Sequence, residues 1–225
     1  MFISNTLLYK TRKYKYTRPD NTNKPTPLNV WLHGGTGSGQ QFYEGLDLDS
    51  TLGENSINLY LTATLNEGGF TAWNSGGAFN PNASDVTYIM DIISKFKELF
   101  NIKEVNIGGH SNGAMMGYRL ISERPQAFKR LFAMAGALMV DSPDLFTGEI
   151  SHIHGLNDAN VPYNGGVGIN GVNYPSVADT LLSFSNASTS LNALANTGHE
   201  LVLIKSGVAA QGTSLQLVIS KFLGL

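Results

Sequence analysis

The stretch KEVNIGGHSNGAMMGYRL, residues 103–120, constrains the fold more than any other part of this chain. An apolar run ends in Gly108-Gly109. Ser111 then stands between His110 and Asn112-Gly113, and a helical pattern begins at once. A backbone that passes from strand to helix over a single residue turns so tightly that flanking side chains would collide, which calls for glycine there. Such an elbow lifts the Ser111 hydroxyl clear of a sheet. It needs a strand before it and a helix after it, so the chain belongs to the α/β class.

The rest of the sequence fits that class. PLNVWLHGGTGSG (27–39) reads as a buried strand and a glycine-rich loop, and INLYLTAT (57–64) as another strand. RKYKYTRPDN (12–21) alternates and turns at Pro19, as an edge strand does. Val86, Ile89, Met90, Ile93, Phe96, Leu99 and Phe100 recur at three and four, which predicts a helix opened by Ser84 and Asp85. RLFAMAG (130–136) and EISHIHG (149–155) read as strands, and residues 176–195 as mostly helical. ELVLIK (200–205) reads as the last strand. It is followed by a Ser206-Gly207 turn and a final helix with Leu215, Val218, Ile219 and Phe222 on one face. Strands alternating with helices predict a mostly parallel central sheet with helices on both faces, and the length suits one domain over residues 1–225. Ligands of such sheets sit at the carboxyl ends of the strands. The Gly- and Asn-rich segment 68–84 is a long loop of the kind that carries function.

Composition removes several function classes. The formal net charge is −2 and no basic stripe is present, which argues against nucleic-acid binding. The chain has no cysteine, so disulfides, thiol catalysis and thiolate-bound metal are excluded. No run approaches the roughly eighteen apolar residues of a membrane span. MFISNTLLYK lacks the apolar core of a signal peptide, so a complete chain is expected to be cytoplasmic. The abundant Asn, Gly, Ser and Thr suit a secreted or particle-borne protein if the chain is processed.

Gly109-His110-Ser111-Asn112-Gly113 matches G-x-S-x-G, the turn that presents a nucleophilic serine. Acyl transfer at such a serine needs backbone N–H groups aimed at the developing oxyanion. One is expected from Asn112, the residue after the nucleophile. The other is expected from Gly35 or Thr36 in the loop after an earlier strand. GGTGSG lacks the G-K-[ST] ending of a phosphate loop. His33 reads as a structural hydrogen-bonder. In HGLNDANVPYNGG (154–166), Asp158 follows a strand and lies C-terminal to the serine, as the acid of a triad would. His152 and His154 stand at i and i+2 on one strand face. No carboxylate pair completes a metal site beside them, so structural roles are expected and no metal or organic cofactor is implied.

PLNVWLHGG, AWNSGG, DVTYIMDII, GGHSNGAMM and HGLNDANVPYNGG occur in that order. Together they resemble the polyhydroxybutyrate depolymerase and feruloyl esterase group of α/β-hydrolases. The resemblance runs from about Arg12 to Gly166 and more loosely to the end. It implies an α/β-hydrolase fold with a small or absent lid, and esterase chemistry on short-chain hydroxyalkanoate, feruloyl or acetyl esters, free or carried on a polyester or polysaccharide. It implies Ser111 as nucleophile and Asp158 as acid, and it puts Trp73 and Asn74 of AWN beside the substrate cleft. Read without it, Trp73 serves equally well to anchor its loop.

A histidine is expected on the turn after the last strand. With ELVLIK as that strand, the turn reads Val208-Ala209-Ala210-Gln211 and has no imidazole. His199, in TGHE, would then stand at the start of the strand, roughly 26 Å before Gly207 along an extended chain. A general base must come within about 3 Å of the serine. His199 can serve only if residues 200–205 are not that strand. Two readings follow: a serine ester hydrolase using Ser111 and Asp158 with a histidine from His199, another residue or a partner chain, or a catalytically silent hydrolase fold acting as a binding or structural module of a larger assembly.

Overall fold

A computed structural model of the chain describes residues 2–77, 79–141 and 144–225. Its N-terminus forms a hairpin of β1 (Phe2–Tyr9) and β2 (Arg12–Pro19). The turn between them puts both Lys10 and Thr11 at positive φ, 46° and 69°. Two such residues match the right-handed twist of a hairpin, but Asn-Gly is their usual signal. Lys-Thr hides the turn. As a consequence β1 is the sheet edge, and the expected edge strand 12–19 lies one place inside it.

The chain continues through β3 (Thr26–Leu32), α1 (Gly39–Leu46), α2 (Asp49–Leu52) and β4 (Ile57–Leu61). Next come α3 (Asp85–Leu99), β5 (Ile102–His110), α4 (Asn112–Glu123), β6 (Arg130–Met134) and β7 (Glu149–Gly155). A two-stranded ribbon of β8 (Gly166–Val167) and β9 (Asn173–Tyr174) leads to α5 (Val177–Leu182), β10 (Ser188–Leu194), α6 (Leu201–Ala210) and α7 (Leu215–Leu223). Eight strands form one sheet in the order β1-β2-β4-β3-β5-β6-β7-β10. The β1–β2 and β2–β4 pairs are antiparallel, and every pairing from β4 to β10 is parallel.

The sheet buries both faces. Leu28, Val30 and Leu32 of β3 pack against Ile89, Ile92, Ile93 and Phe96 of α3 and Met116 and Leu120 of α4. Trp31 on the opposite face packs with Leu46 of α1, Ile204 and Val208 of α6, and Ile219 of α7. Asn29, Asn58 and Asn106 stand side by side on β3, β4 and β5. Asn58 Oδ1 accepts from Asn29 Nδ2 at 3.0 Å and from Trp31 Nε1 at 3.2 Å, and Asn29 Oδ1 accepts from Asn106 Nδ2 at 3.0 Å. Slipping any of these strands by one residue would leave buried amides without partners, so the ladder fixes the register.

Two expectations for the C-terminal third are overturned. Residues 200–205 are not a strand; they lie at the start of α6, in which Leu201, Ile204 and Val208 recur at helical spacing toward the core. The last strand is β10, within the stretch read as helical. Because β10 pairs only with β7, most of its length is exposed and it carries Ser188, Thr189, Ser190 and Asn192 instead of an apolar run. At the start of α3, Ser84 makes no side-chain cap. Asp85 is instead buried, paired with Arg12 and accepting the Asn74 amide at 2.6 Å.

Candidate active site

β5 delivers Ser111 at the centre of the sheet's carboxyl edge. The serine has φ 54° and ψ −124°, a conformation that costs a non-glycine residue about 1–3 kcal/mol and survives only where its surroundings enforce it. They do so here. A methyl group at Gly109 would fall on the Gly113 carbonyl, and one at Gly113 on the Leu32 carbonyl oxygen. The Ser111 amide is held by the Met134 carbonyl at 2.8 Å.

The turn after β10 carries His199. Its Nε2 lies 2.8 Å from Ser111 Oγ and its Nδ1 2.7 Å from Asp158 Oδ2. The expected gap between His199 and the serine therefore does not exist. The histidine-free residues 208–211 close α6 and are not the loop after the last strand. The loop of His199 is bound to the loop of Asp158: the Leu156 amide donates to the Leu194 carbonyl and the Asn157 amide to the Thr197 carbonyl, both at 2.9 Å.

Asp158 is saturated with donors. Oδ1 accepts the amides of Asn160 and Val161 at 2.9 Å each. Oδ2 accepts His199 Nδ1 and lies 3.2 Å from His154 Nε2. Burial alone would raise the carboxyl, but the hydrogen bonds from His154 and His199, the charge of His199 and the Val161 amide outweigh it and hold Asp158 well below the usual range. An ionised Asp158 holds a proton on Nδ1 of His199, so the uncharged form of the ring presents the Nε2 lone pair to the Ser111 hydroxyl. His110 Nε2 donates to the His199 carbonyl at 2.8 Å and steadies the same loop. Burial, then the neighbouring His199, push the His110 imidazole down to about 4, so it is neutral at pH 7.

The loop after β3 carries the two amides expected to face an oxyanion, and one of them is already bonded. The Thr36 amide donates to the Thr71 carbonyl at 2.8 Å and is not available to a substrate. The Gly35 amide has no such acceptor among the described residues, and the space around Gly35 is open. Asn112, the first residue of α4, has an amide with no intrahelical acceptor. A cleft of about 260 Å³ runs along this loop, bounded by Gly34, Gly35, Ser38, Phe42 and His110. His33 supports it from below. Its Nδ1 donates to the Gly34 carbonyl at 2.6 Å and its Nε2 accepts the Ala63 amide at 3.0 Å, and burial pushes its imidazole down to about 4.

Trp73 and Asn74 do not face this cleft. Trp73 is 0% exposed; its Nε1 donates to the His33 carbonyl at 2.9 Å and its amide to Asn112 Oδ1 at 2.7 Å. Asn74 Nδ2 donates to the carbonyls of Pro81 and Ala83, and its carbonyl and Oδ1 accept from Arg119 of α4 at 2.7 Å. Both residues fasten the 68–84 loop to the elbow. The Asn112 side chain answers them by donating to the Trp73 carbonyl and to Ser75 Oγ. Sequence reasoning missed this second use of Asn112, and also the contacts of His110 and His154. Only the i, i+4 spacing of His154 and Asp158 hinted at any of them. His152 and His154 bind each other, Nε2 to Nδ1 at 2.9 Å.

No family model and no curated protein matches the sequence. Solved structures do match in shape. An S-formylglutathione hydrolase from Agrobacterium tumefaciens superposes with a TM-score of 0.65 at 13% identity, over 94% of each chain. A predicted CIB-like hydrolase from Thermoplasma acidophilum gives 0.64 at 13% identity, over 99% of this chain and 98% of that one. The Bacillus cereus carboxylesterase gives 0.61 at 18% identity, over 90% and 95%. The chain has the α/β-hydrolase fold.

Proposed function

We propose that this protein is a serine carboxylic-ester hydrolase that works through an acyl-enzyme on Ser111. The observation that carries the reading is the unbroken hydrogen-bonded line Ser111–His199–Asp158. As Oγ attacks the ester carbonyl, His199 Nε2 takes the hydroxyl proton and Asp158 stabilises the imidazolium. The amides of Gly35 and Asn112 receive the oxyanion. His199 then returns the proton to the leaving alcohol. Water repeats the sequence on the acyl-enzyme, with His199 again as base, and frees the acid.

A cleft of about 260 Å³ opens beside Gly35, next to one of the amides assigned to the oxyanion. The sequence resemblance supports short-chain hydroxyalkanoate, feruloyl or acetyl esters as the substrate class. A carboxylesterase among the similar folds supports the ester class. The silent-module reading loses its motive, because the turn after β10 holds an imidazole against the serine.

Incubation with a fluorophosphonate and assay on 4-nitrophenyl acetate test the proposal. Wild type should label and turn over, and Ser111→Ala should lose labelling and about 10⁴-fold or more of kcat. Equal rates for the two proteins would end the serine-esterase reading.

A further inference from the structure

Behind Asp158 lies a line of buried polar side chains that the reaction above does not use. Tyr118, His152 and His154 are each 0% exposed. The Tyr118 hydroxyl is 2.6 Å from His152 Nδ1, His152 Nε2 is 2.9 Å from His154 Nδ1, and His154 Nε2 is 2.8 Å from the Val161 carbonyl and 3.2 Å from Asp158 Oδ2. The two imidazoles lie nearly parallel, with centroids 5.2 Å and planes 7° apart, and Tyr118 lies between His152 and Phe184.

With the His154 ring uncharged, the protons in this line have one arrangement. A carbonyl oxygen can only accept, so His154 Nε2 carries a proton and Nδ1 is a lone pair. His152 must then donate from Nε2 and accept at Nδ1, and the Tyr118 hydroxyl must be the donor. Every polar atom is satisfied, with the orphan-free polarity a buried network needs. Burial holds the His152 imidazole well below its ordinary value, a proton added to neighbouring His154 would lower it further, and burial raises the Tyr118 phenol, so both are neutral. Two apolar side chains would fill the space with no hydrogen-bonding demands. The polar line has one further effect: the N–H it fixes on His154, given to the Val161 carbonyl at 2.8 Å, also lies 3.2 Å from the carboxylate oxygen that holds His199.

We propose that His154 is a positioning residue for Asp158, and that Tyr118 and His152 lock it in the donating tautomer. The inference rests on the reading of Ser111, His199 and Asp158 as the reacting line. Tyr118 lies two turns along α4 from Ser111, so the relay joins the helix of the nucleophile to the loop of the acid by a second, fully buried route. With His199 Nδ1 at 2.7 Å and His154 Nε2 at 3.2 Å, Oδ2 is restrained from swinging away from His199. His154 also draws off part of the carboxylate charge that faces His199. The other titratable groups near the pair are His110 beside His199, Tyr163 edge-on to His154, and Tyr174 within electrostatic reach of Asp158.

Three variants and two measurements test this. His154→Leu removes the donor. His154→Gln keeps an N–H at the Nε2 position. Tyr118→Phe removes the far end of the relay. On 4-nitrophenyl acetate, His154→Leu should lose on the order of 10–100-fold in kcat, the scale of a small misplacement of a reacting group, with KM little changed. The acid limb of its kcat/KM profile should move to higher pH, because the carboxylate charge falls more fully on His199. His154→Gln should recover most of both. Wild-type kcat and limb position in folded His154→Leu, or no difference between Gln and Leu, would overturn the proposal while leaving Ser111 chemistry intact. Loss of the esterase reading would show differently, as equal rates for wild type and Ser111→Ala. Nitrogen-15 NMR of the histidines checks the relay without turnover. Wild type should show protons on Nε2 of both His152 and His154, and Tyr118→Phe should shift His152 Nδ1 toward a free lone pair. Protons on Nδ1 of either histidine would refute the relay even if a variant failed to fold.

Discussion

His199 Nε2 and Ser111 Oγ stand 2.8 Å apart although 88 positions of sequence separate them. The contact exists because β5 and β10 end on the same edge of the sheet, with β6 and β7 between them. β5 ends at the elbow, β7 leads to Asp158 and β10 to His199, so the three strands bring the three groups to one place.

His199→Ala should leave the fold intact, because His199 is partly exposed and its loop is held by the Leu194 and Thr197 carbonyls. It should lower kcat by about 10⁴-fold. A histidine placed instead at position 209, in the last turn of α6, should restore nothing. Hydrolysis of 4-nitrophenyl acetate, read alongside circular dichroism, decides the point. Recovery by the position-209 variant would mean that residues 208–211 do face the serine.

Stability should fall as the solution is acidified, in two windows. His33 and His110 ionise near 4 when folded, against about 6.5 when unfolded, so between those values the unfolded chain binds more protons. Their stabilisation is complete above the unfolded value and drains away toward pH 4. For buried His33 the loss reaches about 3 kcal/mol. Asp158, held low in the folded state, adds a second loss below the ordinary carboxylate range. Urea titrations at pH 7, 5.5 and 4 should show a falling midpoint, with a shallower fall for His110→Gln. A flat or rising midpoint would contradict the assignment of neutral, buried imidazoles.

Two glycines of the site should respond in opposite ways to alanine. At Gly113 the new methyl meets the Leu32 carbonyl oxygen, backbone that cannot move without separating β3 from α4, so about 3 kcal/mol or more should be lost. At Gly35 nothing lies within 4 Å, and φ is not in the left-handed region, so the melting temperature should stay near that of wild type. Thermal melts of the two variants compare them directly, and similar losses would show that the elbow is not as crowded as its geometry implies.

Much of the site was legible in the sequence because it depends on local geometry. The strand-to-helix turn at Ser111 admits only small neighbours, and those glycines show in one stretch of chain. Asp158 also announced itself, as an acid just past an apolar strand. Trp73 was ambiguous for the opposite reason: an aromatic residue in a long loop can face in or out, and its bonds to His33 and Asn112 come from distant segments. Thr36 looked as able as Gly35 to hold an oxyanion until its amide proved to be taken by Thr71.

The histidine shows the division between sequence and tertiary structure most sharply. Local pattern favoured LVLI as a strand and STSLNAL as part of a helix, since short apolar runs carry no decisive period and polar strands carry little signal. Which segment joined the sheet was settled by the free edge of β7, where a mostly exposed strand can pair without an apolar face. By itself the sequence determined the elbow, the α/β class and the supply of one serine, one acid and one uncommitted histidine. Tertiary pairing decided that the histidine ends up beside the other two, because only the parallel sheet aligns the ends of β5, β7 and β10 on one edge.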